Sequence, residues 1–112
     1  MGAFAAGAIV IVRFPFSDLT QAKFRPAVVL AGAGRGDSVL SQITSQPYAG
    51  PRAIAIESAD FVRGSLRRTS YARQGKLFTA HTSLVTGQIG ILAPGKFAEI
   101  REAVVQLIQK GC

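Results

Sequence analysis

This sequence predicts a mainly β fold: a small barrel of the SH3-like kind closed by a C-terminal α-helix. Three observations carry the expectation. Short apolar runs rich in Val and Ile, cut by Gly and Pro, dominate up to about Ala93. The period then changes, because Phe97, Ile100, Val104, Leu107 and Ile108 recur at i, i+3, i+7, i+10 and i+11, one face of a helix. Finally, 112 residues that are 48% hydrophobic suit one core, since a second would leave each half near the lower limit for independent folding. Residues 1–112 are therefore read as a single domain.

Each element has its own warrant. Ala8 to Phe14 reads as a buried first strand, with Ile9 to Val12 supplying β-branched density, and it ends at Pro15. Phe16 to Arg25 reads as a polar loop containing Ser17, Asp18 and Thr20. Pro26 opens a second strand, Ala27 to Leu30, at a first position where a missing N–H is tolerated. Gly32, Gly34 and Gly36 read as a flexible turn, and Ser38 to Thr44 alternates polar and apolar as a half-exposed strand does. Pro47, Gly50 and Pro51 break the chain before a short strand, Ala53 to Glu57. Thr69 to Arg73, Lys76 to Ala80 and Gln88 to Leu92 are the later strands. Pro94 suits the first turn of the helix and Gly111 its stop.

Charge points to the partner. Thirteen Lys and Arg stand against six Asp and Glu, a net charge of +7. No acid falls between Phe61 and Ala98, while Arg63, Arg67, Arg68, Arg73, Lys76 and Lys96 all do. Such an excess suits a polyanion, with nucleic acid first; the plainer reading is a solvated basic face kept for solubility. Cys112 is the only cysteine, so neither an internal disulfide nor a cysteine metal cluster is available, and a cytoplasmic location is expected. The uncharged stretch Gly2 to Val12 is too short to span a bilayer and lacks a basic leader, so no membrane association is expected.

Several chemistries are excluded by the residues themselves. His81 is the only histidine, and no Gly-x-Ser-x-Gly turn exposes a serine for it to activate. The six acids are scattered, with no His-x-x-x-His pattern, so neither a metal nor any other cofactor is expected. Gly32 to Gly36 follows a strand but leads into another, leaving no helix N-terminus for a pyrophosphate. Arg35-Gly36-Asp37 reads as a turn rather than an adhesion motif. What remains is chemistry on arginine, hydroxyls and backbone donors. Arg25, at a loop–strand junction, and Thr44, in Gln42-Ile43-Thr44-Ser45-Gln46, concentrate such groups at strand ends. By residue type alone, the plainer readings stand ahead: a surface salt bridge for Arg25 and ordinary strand filler for Thr44.

A resemblance adds to that reading. Ile11-Val12-Arg13-Phe14-Pro15-Phe16-Ser17-Asp18-Leu19, then Arg25-Pro26-Ala27-Val28-Val29-Leu30, then Gln42-Ile43-Thr44-Ser45 resemble the MazF/PemK-type endoribonuclease toxins. Gly75 to Thr79, Ile89 to Leu92 and the closing helix continue the match, so it runs from about Gly7 to the C-terminus. Ala8 departs from it, standing where the family commonly carries an acid. The resemblance implies a CcdB/MazF-type barrel, a symmetric homodimer, and cleavage of single-stranded RNA without metal by attack of the ribose 2′-OH. It implies Arg25 and Thr44 as the catalytic pair. A planar fork of donors matches phosphate oxygens, and a hydroxyl adds one more hydrogen bond. A guanidinium is a poor general base, and Asp18 or water is left to move the proton.

Around that pair, Phe16 and Phe24 are expected to stack on bases; the plainer reading is that both anchor the core, and for Phe16 the two readings weigh equally. Gln21 is expected to read a base edge, Lys23 to hold a phosphate, and Ser45 and Gln46 to contact RNA. Arg67 and Arg68 are taken as basic residues remote from the site. The resemblance further implies a cognate antitoxin that lays an acidic segment over the toxin, for which a +7 chain is a suitable target. Two other functions fit the same barrel: a non-enzymatic gyrase inhibitor of the CcdB type, and an inactive nucleic-acid-binding module.

Overall fold

The computed structural model describes residues 4–15, 22–46 and 52–111. Its strands are β1 (Ala8–Pro15), β2 (Ala22–Gly34), β3 (Asp37–Thr44), β4 (Ile54–Ile56), β5 (Phe61–Gly64), β6 (Ser70–His81) and β7 (Val85–Leu92), followed by helix α1 (Pro94–Lys110). All pair antiparallel in one sheet, in the order β4-β6-β3-β2-β1-β7-β5. Register shifts in several ladders mark irregularities of the kind that bend strands and increase their twist. The sheet curls into a half-barrel with β4 and β5 as its edges. A mainly β fold closed by a C-terminal helix is what the sequence predicted.

Alternation along the strands builds two cores. Val10 and Val12 of β1, Ala27 and Val29 of β2 and Leu40 of β3 belong to one buried cluster. Ile9, Val28 and Ile43, one position out of phase, join Ile56 and Ile100 of α1 in the second. Since successive side chains leave a strand on opposite sides, this is why β1 and β2 read as almost continuous apolar runs.

The strand boundaries correct the sequence reading in four places. Strand β2 starts at Ala22, so Arg25 lies inside it and Pro26 is an interior residue opposite Ile11, not the opening of a strand. Its far end runs through Gly34, and the turn to β3 is only Arg35-Gly36, with φ of 57° and 84°. Two central residues at positive φ make the tight hairpin that matches strand twist. A Cβ on Gly36 would lie 2.7 Å from His81 Nε2, a contact that the exposed imidazole would have to move to relieve. The stretches 69–73 and 76–80 form one strand, β6, whose pairing with β3 slips between Ser41 and Ile43. Strand β5 was not foreseen.

Helix α1 follows its pattern closely. Pro94 is its first residue, and Gly111, at φ 70°, donates to the Leu107 carbonyl at 3.0 Å to close it. Ile100 and Val104 are buried, but Ile108, on the same stripe, is 68% exposed. Lys96 is a clamp rather than part of a basic surface. Its Nζ donates to the Ala55 carbonyl at 3.0 Å and sits 3.1 Å from Glu99 and 3.8 Å from Asp60, tying α1 to the β4–β5 connection. Among the described residues no helix is long and apolar enough to cross a membrane.

Candidate functional site

Four strand termini meet at one end of the sheet: β1 finishes at Pro15, β2 starts at Ala22, β3 finishes at Thr44 and β6 starts at Ser70. Arg25 pairs with Val12, and Thr44 pairs with Tyr71. The β2–β3 ladder begins at Ala27 and Gln42. Continuing that register by two residues brings Arg25 level with Thr44. Pro26 accounts for the ladder stopping short, because it has no N–H to offer β3. The two strands therefore part with an arginine and a threonine at opposed positions, on the side of the sheet that carries the first cluster.

Each side chain is in a state that suits donation. The Arg25 side chain forms no hydrogen bond or ion pair among the described residues, so the ion-pair reading finds no partner there, and the residue is half-buried. Thr44 Oγ1 accepts the Gln46 N–H at 3.1 Å. That local turn orients the hydroxyl and leaves its own proton unspent. The pair can supply positive charge and hydrogen-bond donors to an anion; neither member can accept a proton at neutral pH as an ordinary base does.

Other expected residues fall around the pair. Lys23 and Phe24 are exposed on β2, and Phe24, at 57% exposure, is no core anchor. Ser45 and Gln46 are exposed just past β3. Phe16, Gln21 and Asp18 lie outside the described residues. His81 is opposite Asp37, at the far end of β3 from Thr44, a separation of about 20 Å at strand rise. Its Nδ1 accepts the Ser83 N–H at 3.1 Å, a capping role. Among the described residues, no three His, Cys, Asp or Glu side chains are grouped as metal ligands.

A cavity of about 390 Å³ opens at Ser45, just past the end of β3, and sequence reasoning did not find it. Ser45 lines it, with Ile11, Leu66 and Ile89 as apolar walls and Arg67 and Arg68 as its basic side. The two arginines share that cavity with Ser45, the residue next to Thr44. Ser70, buried at the start of β6, donates to the Arg68 carbonyl at 3.0 Å and holds the turn that carries them. The only sequence signal for them was the acid-free run in which they stand.

Comparison with known proteins bears on the family and the fold. The family model described as PemK-like, MazF-like toxin of type II toxin–antitoxin system matches residues 5–108. A structure titled as an endoribonuclease from Mycobacterial species superposes with a TM-score of 0.72 at 18% identity, covering 97% of this chain and 94% of that one. A MazE–MazF crystal structure from Deinococcus radiodurans gives 0.76 at 18% identity, over 96% and 97%. A third, a Mycobacterial endoribonuclease in complex with its cognate antitoxin, gives 0.68 at 17% identity, over 97% and 96%. At these identities the structural likeness establishes the fold. No curated protein matches the chain.

Proposed function

Since the chain belongs to the PemK-like, MazF-like toxins of type II toxin–antitoxin systems, we propose that it is a metal-independent, sequence-selective endoribonuclease that cuts single-stranded RNA in the cytoplasm. The observation that supports the reading is the β2–β3 register, which continued by two residues brings level an oriented hydroxyl and a guanidinium without a partner among the described residues.

In this mechanism the ribose 2′ oxygen attacks the adjacent phosphorus and the bond to the 5′ oxygen breaks. The products carry a 2′,3′-cyclic phosphate and a 5′-hydroxyl. The proton lost from the 2′-OH passes to water, and a proton returns to the 5′ oxygen as it leaves. Arg25 lays its fork against the non-bridging phosphate oxygens, where charge builds as phosphorus becomes five-coordinate. Thr44 donates its free proton to the same oxygens. Catalysis rests on stabilising that charge, because His81 stands too far away to act as a base.

Exposed Phe24 offers a face for a splayed base, and Lys23, Ser45 and Gln46 line the path of the chain. Phe16 and Gln21 are assigned to RNA contact in this proposal. The protein works as a homodimer, which covers the short edges of an open half-barrel. Its cognate antitoxin lays an acidic segment on the basic surface. Solved structures of the same fold include a MazE–MazF structure and an endoribonuclease in complex with its cognate antitoxin.

Incubating purified protein with unstructured RNA in excess EDTA tests the reading. Undiminished cleavage with 5′-hydroxyl ends is the expected result. Failure to cut any RNA across a broad sequence set, with inhibition of DNA gyrase instead, would place the protein with the CcdB-type inhibitors. Binding with neither effect would make it an inactive nucleic-acid-binding module.

A further inference from the structure

The cavity beside Thr44 has a composition that fits one kind of occupant. Its walls from Ile11, Leu66 and Ile89 are apolar, Ser45 lies at the Thr44 side, and Arg67 and Arg68 are exposed at the opening. Neither arginine forms a hydrogen bond or ion pair among the described residues through its side chain. A volume of about 390 Å³ lies within the range of small-ligand sites, roughly 300–1,000 Å³. An apolar wall takes the face of a base, serines meet its edge or the sugar, and guanidinium groups take a phosphate or stack on the ring.

Strand geometry sets this cavity against the cleavage pair. Arg25 and Thr44 stand on the first-cluster side of the sheet, whereas Ile11 alternates with Val10 and Val12 and so lies on the other side. Ser45 follows Thr44 in the chain and lines the cavity on that other side. The end of β3 is therefore a ridge, with the pair on one flank and the cavity on the other.

The geometry points to the cavity as a nucleotide subsite: single-stranded RNA crosses the end of β3, and the nucleotide flanking the scissile phosphate seats its base against Ile11, Leu66 and Ile89 while Arg67 and Arg68 hold its phosphate. This rests on the ribonuclease reading and adds to it a specificity-determining pocket for one base. Since Ser70 fixes the backbone at Arg68, the basic side is a held turn and not a free loop. An acidic peptide from a protein partner is the competing occupant. The apolar walls together with a site one residue from Thr44 favour the nucleotide.

Two variants test it without touching the pair. Arg67→Ala/Arg68→Ala removes the charges, and Ser65→Phe, at an exposed serine that also lines the cavity, fills the space and leaves charge unchanged. Binding is read by fluorescence anisotropy on RNA oligonucleotides made uncleavable by 2′-O-methylation. Cutting is read as kcat and KM on the unmodified RNA, with cut sites mapped on a mixed-sequence RNA. Folding is checked by circular dichroism.

The double variant should raise Kd and KM roughly ten-fold or more, leave kcat within a few-fold, and flatten the salt slope by about 0.7, the value for one single-strand phosphate. Ser65→Phe should raise KM with the salt slope unchanged, and should relax or shift base preference at one position beside the cut. Wild-type KM and cut-site preference in both folded variants would overturn the subsite, as a pocket serving only a peptide partner predicts. If wild-type protein neither binds nor cuts RNA, the underlying ribonuclease reading falls and takes the subsite with it.

Discussion

Replacing Thr44 by alanine is expected to lower turnover by roughly 10² or more while RNA affinity stays within a few-fold. The asymmetry follows from what the hydroxyl does. It is neutral, so it adds little to long-range attraction, and its free proton matters only when charge builds on the phosphate oxygens. Arg25→Ala should behave differently. A guanidinium contacts the phosphate in ground and transition states alike, so both binding and turnover should fall, with a larger total loss in kcat/KM. Single-turnover rates and Kd measured at matched salt separate the two patterns. Folding must be checked for Thr44→Ala, because its Oγ1 also accepts the Gln46 N–H. Wild-type turnover by folded Thr44→Ala would make the residue strand filler and leave Arg25 as the sole support of the site.

The second large effect is on stability. Ile100 is fully buried in the cluster that joins α1 to the sheet. Truncation to alanine removes its burial and leaves a cavity, at a cost of about 2–5 kcal/mol. For a domain of this size that lowers Tm by roughly 10–25 °C. Ile108 sits on the same apolar stripe in sequence but is 68% exposed, so Ile108→Ala should stay within about 0.5 kcal/mol of wild type. Thermal melts of the two variants give the comparison. Equal losses would mean that the helix packs through its last turn as well.

These two isoleucines show what the sequence could and could not convey. The helix was legible because its period, its Pro94 start and its Gly111 stop agree. Its depth was not, since periodicity marks a face and says nothing of where the sheet beneath it ends. The strands from β1 to β3 were legible from β-branched runs, but Pro26 misled. It terminates pairing with β3 while still pairing with β1. Strand β5 carried no pattern: Val62 and Arg63 are both exposed. It is held by its ladder with β7 and by Phe61 packing on the second cluster, while Gly64 (φ 72°) permits the close approach to the Ile89 carbonyl oxygen.

The candidate site divides along similar lines. Arg25 and Thr44 stood out as residue types, yet nothing in their spacing says that they face each other. That emerges only from the β2–β3 register. Arg67 and Arg68 were legible as charge but not as cavity, because the cavity draws on β1, β7, the end of β3 and the turn before β6. Lys96 looked like one more surface cation, and three oxygens in space decide otherwise.

The central claim is that cleavage runs through the ribose 2′-OH at the Arg25–Thr44 pair. The most direct measurement takes an RNA oligonucleotide that the protein cuts at one mapped position and replaces the single ribose on the 5′ side of that bond by 2′-deoxyribose. Affinity should be nearly unchanged and cutting at that position abolished, with the all-ribose oligonucleotide giving a 2′,3′-cyclic phosphate and a 5′-hydroxyl. Cleavage of the deoxy-substituted bond, or a 5′-phosphate on the product, would contradict the account.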